Sequence, residues 1–241
     1  MNDNIKYYLL GFFYADASIS KYSLTISLSI KDKIFLDKIA NIFGLVTKEY
    51  NSKIKEKIYK SIRLIIYGKS NLNIWKGLGL EQNKTLKTTT SNIFDNIPLQ
   101  FKRDFIRGFF DGDGSIFKLK NQNSHFFSIT STNFNLLKSI KDFLQSYNVT
   151  LNLKQEKTVF RLTKKGNKSL ELLYNILYYE DCFKLDRKYQ IFSKVKSYIF
   201  KNYYFYKPKN NWRVRFNNIE KSFKTEEECL NYINNEKTLI S

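Results

Sequence analysis

The sequence predicts an α+β fold made of two similar halves and a small C-terminal appendix. Three observations lead there. An apolar, glycine-bearing run that stops at an aspartate and continues into Ser-Ile occurs twice, as Leu9–Ile19 and Phe105–Ile116. The closing aspartates, Asp16 and Asp113, stand 97 residues apart, a plausible length for one structural unit. After each copy the apolar period alternates between helical and strand-like in the same order. Each half therefore reads helix, two strands, helix, two strands, helix.

In the first half, the helix Ile5–Ala15 carries Gly11 near its middle, where glycine costs roughly 1 kcal/mol against alanine. Gly108 stands at the matching point of the second copy. Glycines at paired positions permit close approach, so the two motif helices are expected to pack on each other. Ser23–Ile30 alternates polar and apolar as a half-buried strand. Phe35–Phe43 has helical spacing and stops at Gly44. Val46–Tyr50 and Ile58–Tyr67 make a hairpin, and Asn71–Leu78 a short closing helix. A linker rich in Lys, Thr and Asn, Thr85–Pro98, leads to a helix over Leu99–Phe110, with Pro98 suited to its start.

The second half repeats the order. Phe126–Thr132 alternates as a strand, and Phe134–Tyr147 is a helix with Leu136, Leu137, Ile140, Phe143 and Leu144 on one face. Val149–Gln155 and Thr158–Thr163 form a hairpin, followed by a helix over Ser169–Tyr179. The implied boundaries are 1–90, 91–200 and 201–241. In the appendix, with Tyr203–Tyr206, Trp212–Asn217 alternates aromatic and basic residues and Lys221–Lys224 can pair with it. Thr225–Glu228 is a capping box before a helix over Cys229–Asn234.

Composition narrows the function. A formal charge of +19, from 41 Lys+Arg against 22 Asp+Glu, favours a polyanionic partner. No apolar run approaches the roughly 18 residues needed to span a bilayer, and the N-terminus does not read as a signal peptide. An intracellular protein without a membrane partner is expected. Cys182 and Cys229 are too few for a disulfide framework or a zinc site. His125, the single histidine, lies beside Phe126 and Phe127 and reads as structural.

The chemistry concentrates at the two motif ends. A carboxylate at a helix C-terminus faces the negative end of the macrodipole, unfavourable by roughly 0.3–1 kcal/mol. Packing the motif helices side by side would bring Asp16 and Asp113 together, a poor arrangement unless divalent cations sit between them. Hard oxygen donors few in number suit Mg²⁺, whose shell is completed by waters and phosphate oxygens. A calcium-loop reading of Asp111–Ser115 fails, because Ile116 stands where glycine and Gln122 where glutamate is required.

These residues resemble the LAGLIDADG homing endonucleases. Phe105–Ile116 matches the family motif closely, with Phe101–Asp104 as its run-in. Leu9–Ile19 matches with two departures, Tyr14 and Ala17. Asn83–Thr85 and Leu185–Tyr189 resemble the segments that close each half of the family fold. The resemblance implies a monomer whose two αββαββα halves form a saddle over double-stranded DNA, each half cutting one strand with Mg²⁺. It places the metals at sites formed by Asp16, Asp113, Ala15 and Gly112. It makes Lys48, Tyr50, Ser61, Arg63, Lys154, Gln155 and Arg161 candidates for DNA contact. It puts a basic residue near each metal: Lys84 in the first half, and Lys188 in the second with Lys184 and Arg187 as competitors. Alternatives within the same fold are an RNA maturase acting on intron RNA and a silent DNA-binding protein. Organelle, phage and A/T-rich bacterial hosts all fit. The appendix resembles a shortened AP2-type or integrase arm-type DNA-binding module.

Overall fold

The computed structural model describes residues 1–54, 57–81, 92–120, 124–196, 204–206, 212–216, 219–225, 227–228 and 231–232. The first half runs α1 (Asp3–Asp16), β1 (Ala17–Ile19), β2 (Ser23–Ser29), a 3₁₀ turn (Ile30–Asp32), α2 (Lys33–Ile42), β3 (Lys48–Ile54), β4 (Lys57–Tyr67) and α3 (Lys69–Gly77). The second runs through a 3₁₀ turn (Leu99–Phe101), α4 (Lys102–Asp113), β5 (Gly114–Lys118), β6 (His125–Ser131), α5 (Phe134–Gln145), β7 (Asn152–Glu156), β8 (Val159–Lys165), α6 (Asn167–Leu177) and α7 (Asp186–Lys196). Each half holds a four-stranded antiparallel sheet of the same order, β1-β2-β4-β3 and β5-β6-β8-β7. The expected mixed fold of two related halves is therefore present.

The motif helices α1 and α4 form the centre. Tyr8, Leu9, Leu10, Phe12 and Phe13 from α1 share one core with Phe105, Ile106, Phe109 and Phe110 from α4. The inward faces of the sheets cover this pair: Leu24, Ile26, Ile62, Leu64 and Ile66 in one half, Phe127, Ile129 and Leu162 in the other. Burying such side chains stabilises by about 1.5–3 kcal/mol each before entropy is counted. Caps set the ends. The Asn2 side chain accepts from Ile5 N at 2.9 Å, so α1 begins before Ile5, and Asn133 accepts from Leu136 N at 3.1 Å at the head of α5.

Several boundaries move. Pro98 opens the 3₁₀ turn, and α4 proper runs on to Asp113. Two short strands, β1 and β5, continue straight from the motif helices into the sheets. The described part of the expected linker is not a solvated connector. Ile93, Phe94 and Ile97 are buried, and Asn92 Nδ2 donates to Ser139 Oγ at 2.6 Å and to Asn135 O at 3.3 Å. Residues 85–91 lie outside the described residues. Helix α7 has no counterpart in the sequence reading. Val149, expected in a strand, is buried in the turn before β7.

In the appendix, β9 (Tyr204–Tyr206), β10 (Trp212–Phe216) and β11 (Ile219–Phe223) form an antiparallel sheet of order β11-β10-β9. The capping box forms as expected. Glu228 N donates to Thr225 Oγ1 at 3.2 Å, while Glu228 Oε2 accepts from Lys224 N and Thr225 N at 2.9 and 3.3 Å.

Candidate active site and nucleic-acid face

The site is made by close contact between two helices. A Cβ on Gly11 would collide with the carbonyl oxygen of Phe105, and a Cβ on Gly108 with that of Tyr8. Both glycines are thus required by backbone-on-backbone packing, as their duplication predicts. One turn further on, a Cβ on Gly112 would run into the Ala15 side chain and lie 3.4 Å from Asp16 Oδ2. The ends of α1 and α4 therefore meet, with Asp16 and Asp113 both exposed there. Ala15 and Gly112 lie between them at the contact. Tyr14, Ala15, Asp113, Thr130, Ser131 and Val159 line a cleft on the second-half side.

The departures in the first motif are accommodated. The Tyr14 hydroxyl accepts from Asn133 Nδ2 of the other half at 3.2 Å, and its ring meets Phe109 edge-on at 5.8 Å. Ala17 is buried and its N–H bonds Phe13 O. At the matching Gly114, a Cβ would strike the Phe110 ring and carbonyl.

Behind Asp113, α4 carries buried polar groups that the sequence reading did not single out. Asp111 Oδ2 accepts from Tyr8 OH at 2.7 Å and from Leu185 N at 2.8 Å. Burial pushes its carboxyl up to about 6, against the hydrogen bonds from Tyr8 and Leu185 that favour the charged form. Arg107 donates to Leu177 O at 2.7 Å, Phe183 O at 2.8 Å and Asp104 Oδ1 at 2.6 Å, and Tyr179 OH donates to the same oxygen at 2.8 Å. These partners lie 70 or more residues away from Arg107 and Asp104 except for the pair itself, so no local pattern reveals them.

Lys188 stands at the end of α4, within electrostatic reach of both Asp16 and Asp113. Its Nζ lies 2.8, 2.7, 3.0 and 2.7 Å from the carbonyl oxygens of Phe110, Asp111, Gly112 and Gly114. An ammonium has three N–H donors, and all are directed at carbonyls of the last turn of α4 and of Gly114 at the start of β5. In this arrangement Lys188 caps the end of the helix. Burial lowers its ammonium to about 8, opposed by Asp111, so it stays mostly charged at neutral pH. Of its competitors, Arg187 bonds Asp32 at 3.1 and 3.2 Å, and Lys184 lies 4.6 Å from the centre of the Tyr189 ring. Lys84, with Asn83 and Thr85, lies outside the described residues. His125 is buried in β6, its backbone N–H bonded to Asn167 Oδ1 at 3.1 Å, consistent with a structural role.

The outer faces of the sheets repeat one chemical pattern. In the first half Lys48 is directly opposite Arg63, which is opposite Ser27, and Tyr50 is opposite Ser61. In the second, Lys154 is opposite Arg161, which is opposite Thr130. Like charges directly opposite are destabilising, so a Lys–Arg pair at the same place in both sheets suits a polyanion lying across them. Arg63 stacks 4.3 Å from the centre of the Tyr50 ring and donates to Ser27 Oγ at 3.0 Å, while Arg161 pairs with Glu156 at 3.1 Å. Six of the seven expected DNA-contact residues therefore share the outer faces. Gln155 does not. It is in register with Phe160 and one residue out of phase with Lys154, so its side chain leaves the other side of the strand, where it is exposed.

A metal at the helix ends would find few protein donors. Among the described residues, no three His, Cys, Asp or Glu side chains cluster as a metal site. Two carboxylates with nearby carbonyls fit a hard cation that keeps waters, and do not fit zinc.

A family model described as a LAGLIDADG-like domain matches residues 3–75 and 100–178, the two halves traced above. The chain belongs to the LAGLIDADG-like family. The LAGLIDADG fold is also that of the homing endonuclease I-WcaI in complex with its DNA recognition sequence, which aligns with a TM-score of 0.59 and 14% identity over 78% of this chain and 86% of that one. Meganuclease I-SmaMI bound to uncleavable DNA aligns at 0.52 and 14% identity, over 80% and 90%. Full-length DUF199/WhiA from Thermatoga maritima aligns at 0.50 and 14% identity, over 98% of this chain and 66% of that one. At sequence level, the DNA-directed RNA polymerase subunit Rpo1C of Methanocaldococcus jannaschii is 28% identical over 145 residues. The chain spans only 16% of that protein's length. No helix among the described residues is long and apolar enough to cross a membrane.

Proposed function

We propose that this LAGLIDADG chain is a Mg²⁺-dependent DNA endonuclease that cuts both strands of a long double-stranded target, as a monomer serving intron homing. The observation that carries the reading is the meeting of Asp16 and Asp113 at the glycine-packed ends of α1 and α4, below two sheets with matched basic outer faces. Two carboxylates brought to adjoining helix ends supply hard oxygen donors suited to a divalent cation, and the Lys188 ammonium lies within electrostatic reach of both. Bound Mg²⁺ would activate water and stabilise the leaving oxygen of a phosphodiester. Asp16 and Asp113 would hold it, with Ala15 and Gly112 as the other residues of the metal site. Lys84 is the basic residue assigned beside the metal in the first half. Lys48, Arg63, Lys154 and Arg161 would track the backbone and grooves of the duplex. I-SmaMI, a relative in fold, has a structure with uncleaved DNA in the presence of calcium ions, which supports a divalent metal.

A plasmid library of random targets tests the reading. The unmutated protein with Mg²⁺ should linearise members that share one sequence. Asp16→Asn and Asp113→Asn should each arrest the reaction or leave it at nicked circles. Cleavage that survives both substitutions together would overturn the assignment. Tight binding to a structured intron RNA, with no cleavage of any DNA, would replace it with the maturase reading.

A further inference from the structure

The segment that follows α6 makes contacts that a solvated loop would not need. We infer that Leu185–Lys188 is a clasp that positions Asp113, with Lys188 as its positioning residue. The four carbonyls that Lys188 engages come from residues on both sides of Asp113: Phe110, Asp111 and Gly112 before it, Gly114 after it. Pinning the peptide group before Asp113 and the one that follows Gly114 brackets Asp113 and restrains where its side chain leaves the helix. The end of an α-helix leaves its last carbonyls unsatisfied, and a buried cation there is favoured by the macrodipole as well.

The same segment holds the site from two further directions. Leu185 N–H and Tyr8 OH converge on one oxygen of Asp111, which joins the clasp, α4 and α1 at a single carboxylate. Arg187 pairs with Asp32 at 3.1 Å and Asp186 with Lys38 at 3.0 Å, so the residues between Leu185 and Lys188 also grip the first half. The clasp thus registers the end of α4 against the half that supplies Asp16.

The catalytic part of this inference rests on the proposed nuclease reading; the positional part does not. Hydrogen exchange on the full chain separates them. Lys188→Met keeps the stem and removes the cation. It should speed exchange of the amides of 114–118 by about tenfold or more, with the matching amides of 17–19 unchanged. A merely structural loss would speed all slow amides together. On the target from the library, cleavage of one strand should slow by about tenfold or more relative to the other, and the slowed strand should be the one slowed by Asp113→Asn. Lys188→Arg keeps the charge on a planar head that cannot converge on four carbonyls. It should show the same selective change at smaller size, and it decides the matter if the methionine variant does not fold. Unchanged exchange at 114–118, or exchange raised uniformly, would overturn the clasp. Both strands slowed alike would overturn its link to Asp113. Absence of cleavage by the unmutated protein would instead remove the nuclease reading and leave exchange to judge the clasp.

Discussion

The two motif helices occupy equivalent places and are filled differently. Helix α1 is apolar along its buried length, with Tyr7, Leu10 and Tyr14 at the positions where α4 has Asp104, Arg107 and Asp111. The buried side chains of Asp104, Arg107 and Asp111 each find a partner in residues 177–188, the segment that closes their half. The exposed parts of the repeats remain alike: Asp16 matches Asp113, and the Lys48–Arg63–Ser27 row matches Lys154–Arg161–Thr130. Interiors can diverge as long as volume and pairing are satisfied. Besides the glycine pair at the helix contact, the features kept in both halves are exposed or half-buried, and these are the ones the proposed function uses.

The contrast breaks most sharply at Arg107. Its side chain is fully buried, so Arg107→Met leaves Asp104 an unpaired charge and two backbone carbonyls without donors. Removing one partner of a buried pair costs about 3–5 kcal/mol. The double change Asp104→Leu with Arg107→Met, which makes α4 apolar like α1, should recover a substantial part of that loss. Urea unfolding of the single and double variants checks it. Equal destabilisation of the two would mean that the carbonyl contacts, not the ion pair, dominate.

A second effect comes from Asp111. Its folded pKa is raised from 3.8 to about 6, so the native state binds the proton more tightly than the unfolded chain. The penalty is present above about pH 6 and gone below about pH 4, and this group makes the fold more stable as pH falls through that window. Two pKa units correspond to roughly 3 kcal/mol. Asp111→Asn keeps an acceptor for Tyr8 and Leu185. Relative to the unmutated protein it should gain stability near pH 7 and lose that advantage by pH 4. A stability difference flat across pH 4–8 would show that the carboxyl titrates alike in both states. Tyr14, at the matching place in α1, offers no such window.

How much of this was legible in sequence follows from the range of each interaction. The glycine pair, the aspartates and the period-two strands are local and repeated, so they could be read directly. The alternation even fixes which strand residues share a face, and it puts Lys154 and Gln155 on opposite sides of their strand. Asp104 and Arg107 lie one helical turn apart and look like an exposed i,i+3 pair. Only the fold reveals that Leu177, Tyr179 and Phe183 close over them. Helix α7 and the capping role of Lys188 were hidden for the same reason, since a lysine aimed at backbone carbonyls leaves no mark on the sequence around its targets. Ile93, Phe94 and Ile97 fall in a segment whose polar neighbours give it the composition of a linker.

The glycine contacts should be symmetric where the polar groups are not. Gly11→Ala and Gly108→Ala each place a methyl onto a backbone carbonyl of the other helix. Alanine improves helix propensity by about 1 kcal/mol, but overpacking costs roughly 1–3 kcal/mol and here presses on an unyielding backbone. A net loss of about 2 kcal/mol is expected for each variant, equal within error, measured by thermal or urea unfolding. A tolerated alanine at one site alone would mean that the helix pair is not pseudo-symmetric at its contact.

The smallest expected effect tests the part of the repeat that is most alike. Lys154 and Gln155 are neighbours in sequence on opposite sides of one strand. If the outer faces meet a nucleic acid backbone, Lys154→Ala removes about one phosphate contact, which should lower the slope of log affinity against log salt by about one. Lys48→Ala should do the same in the first half, because Lys48 holds the matching position opposite Arg63. Gln155→Ala should leave both affinity and slope unchanged. Arg161 sharpens the comparison further, since its pairing with Glu156 has to open before it can contact a phosphate. Glu156→Gln should therefore raise affinity in the second half, with no equivalent gain available at Arg63, which is held by Ser27 and the Tyr50 ring instead. Filter binding at several salt concentrations reads all four variants. A Gln155→Ala loss as large as that of Lys154→Ala would move the nucleic acid off the outer faces altogether.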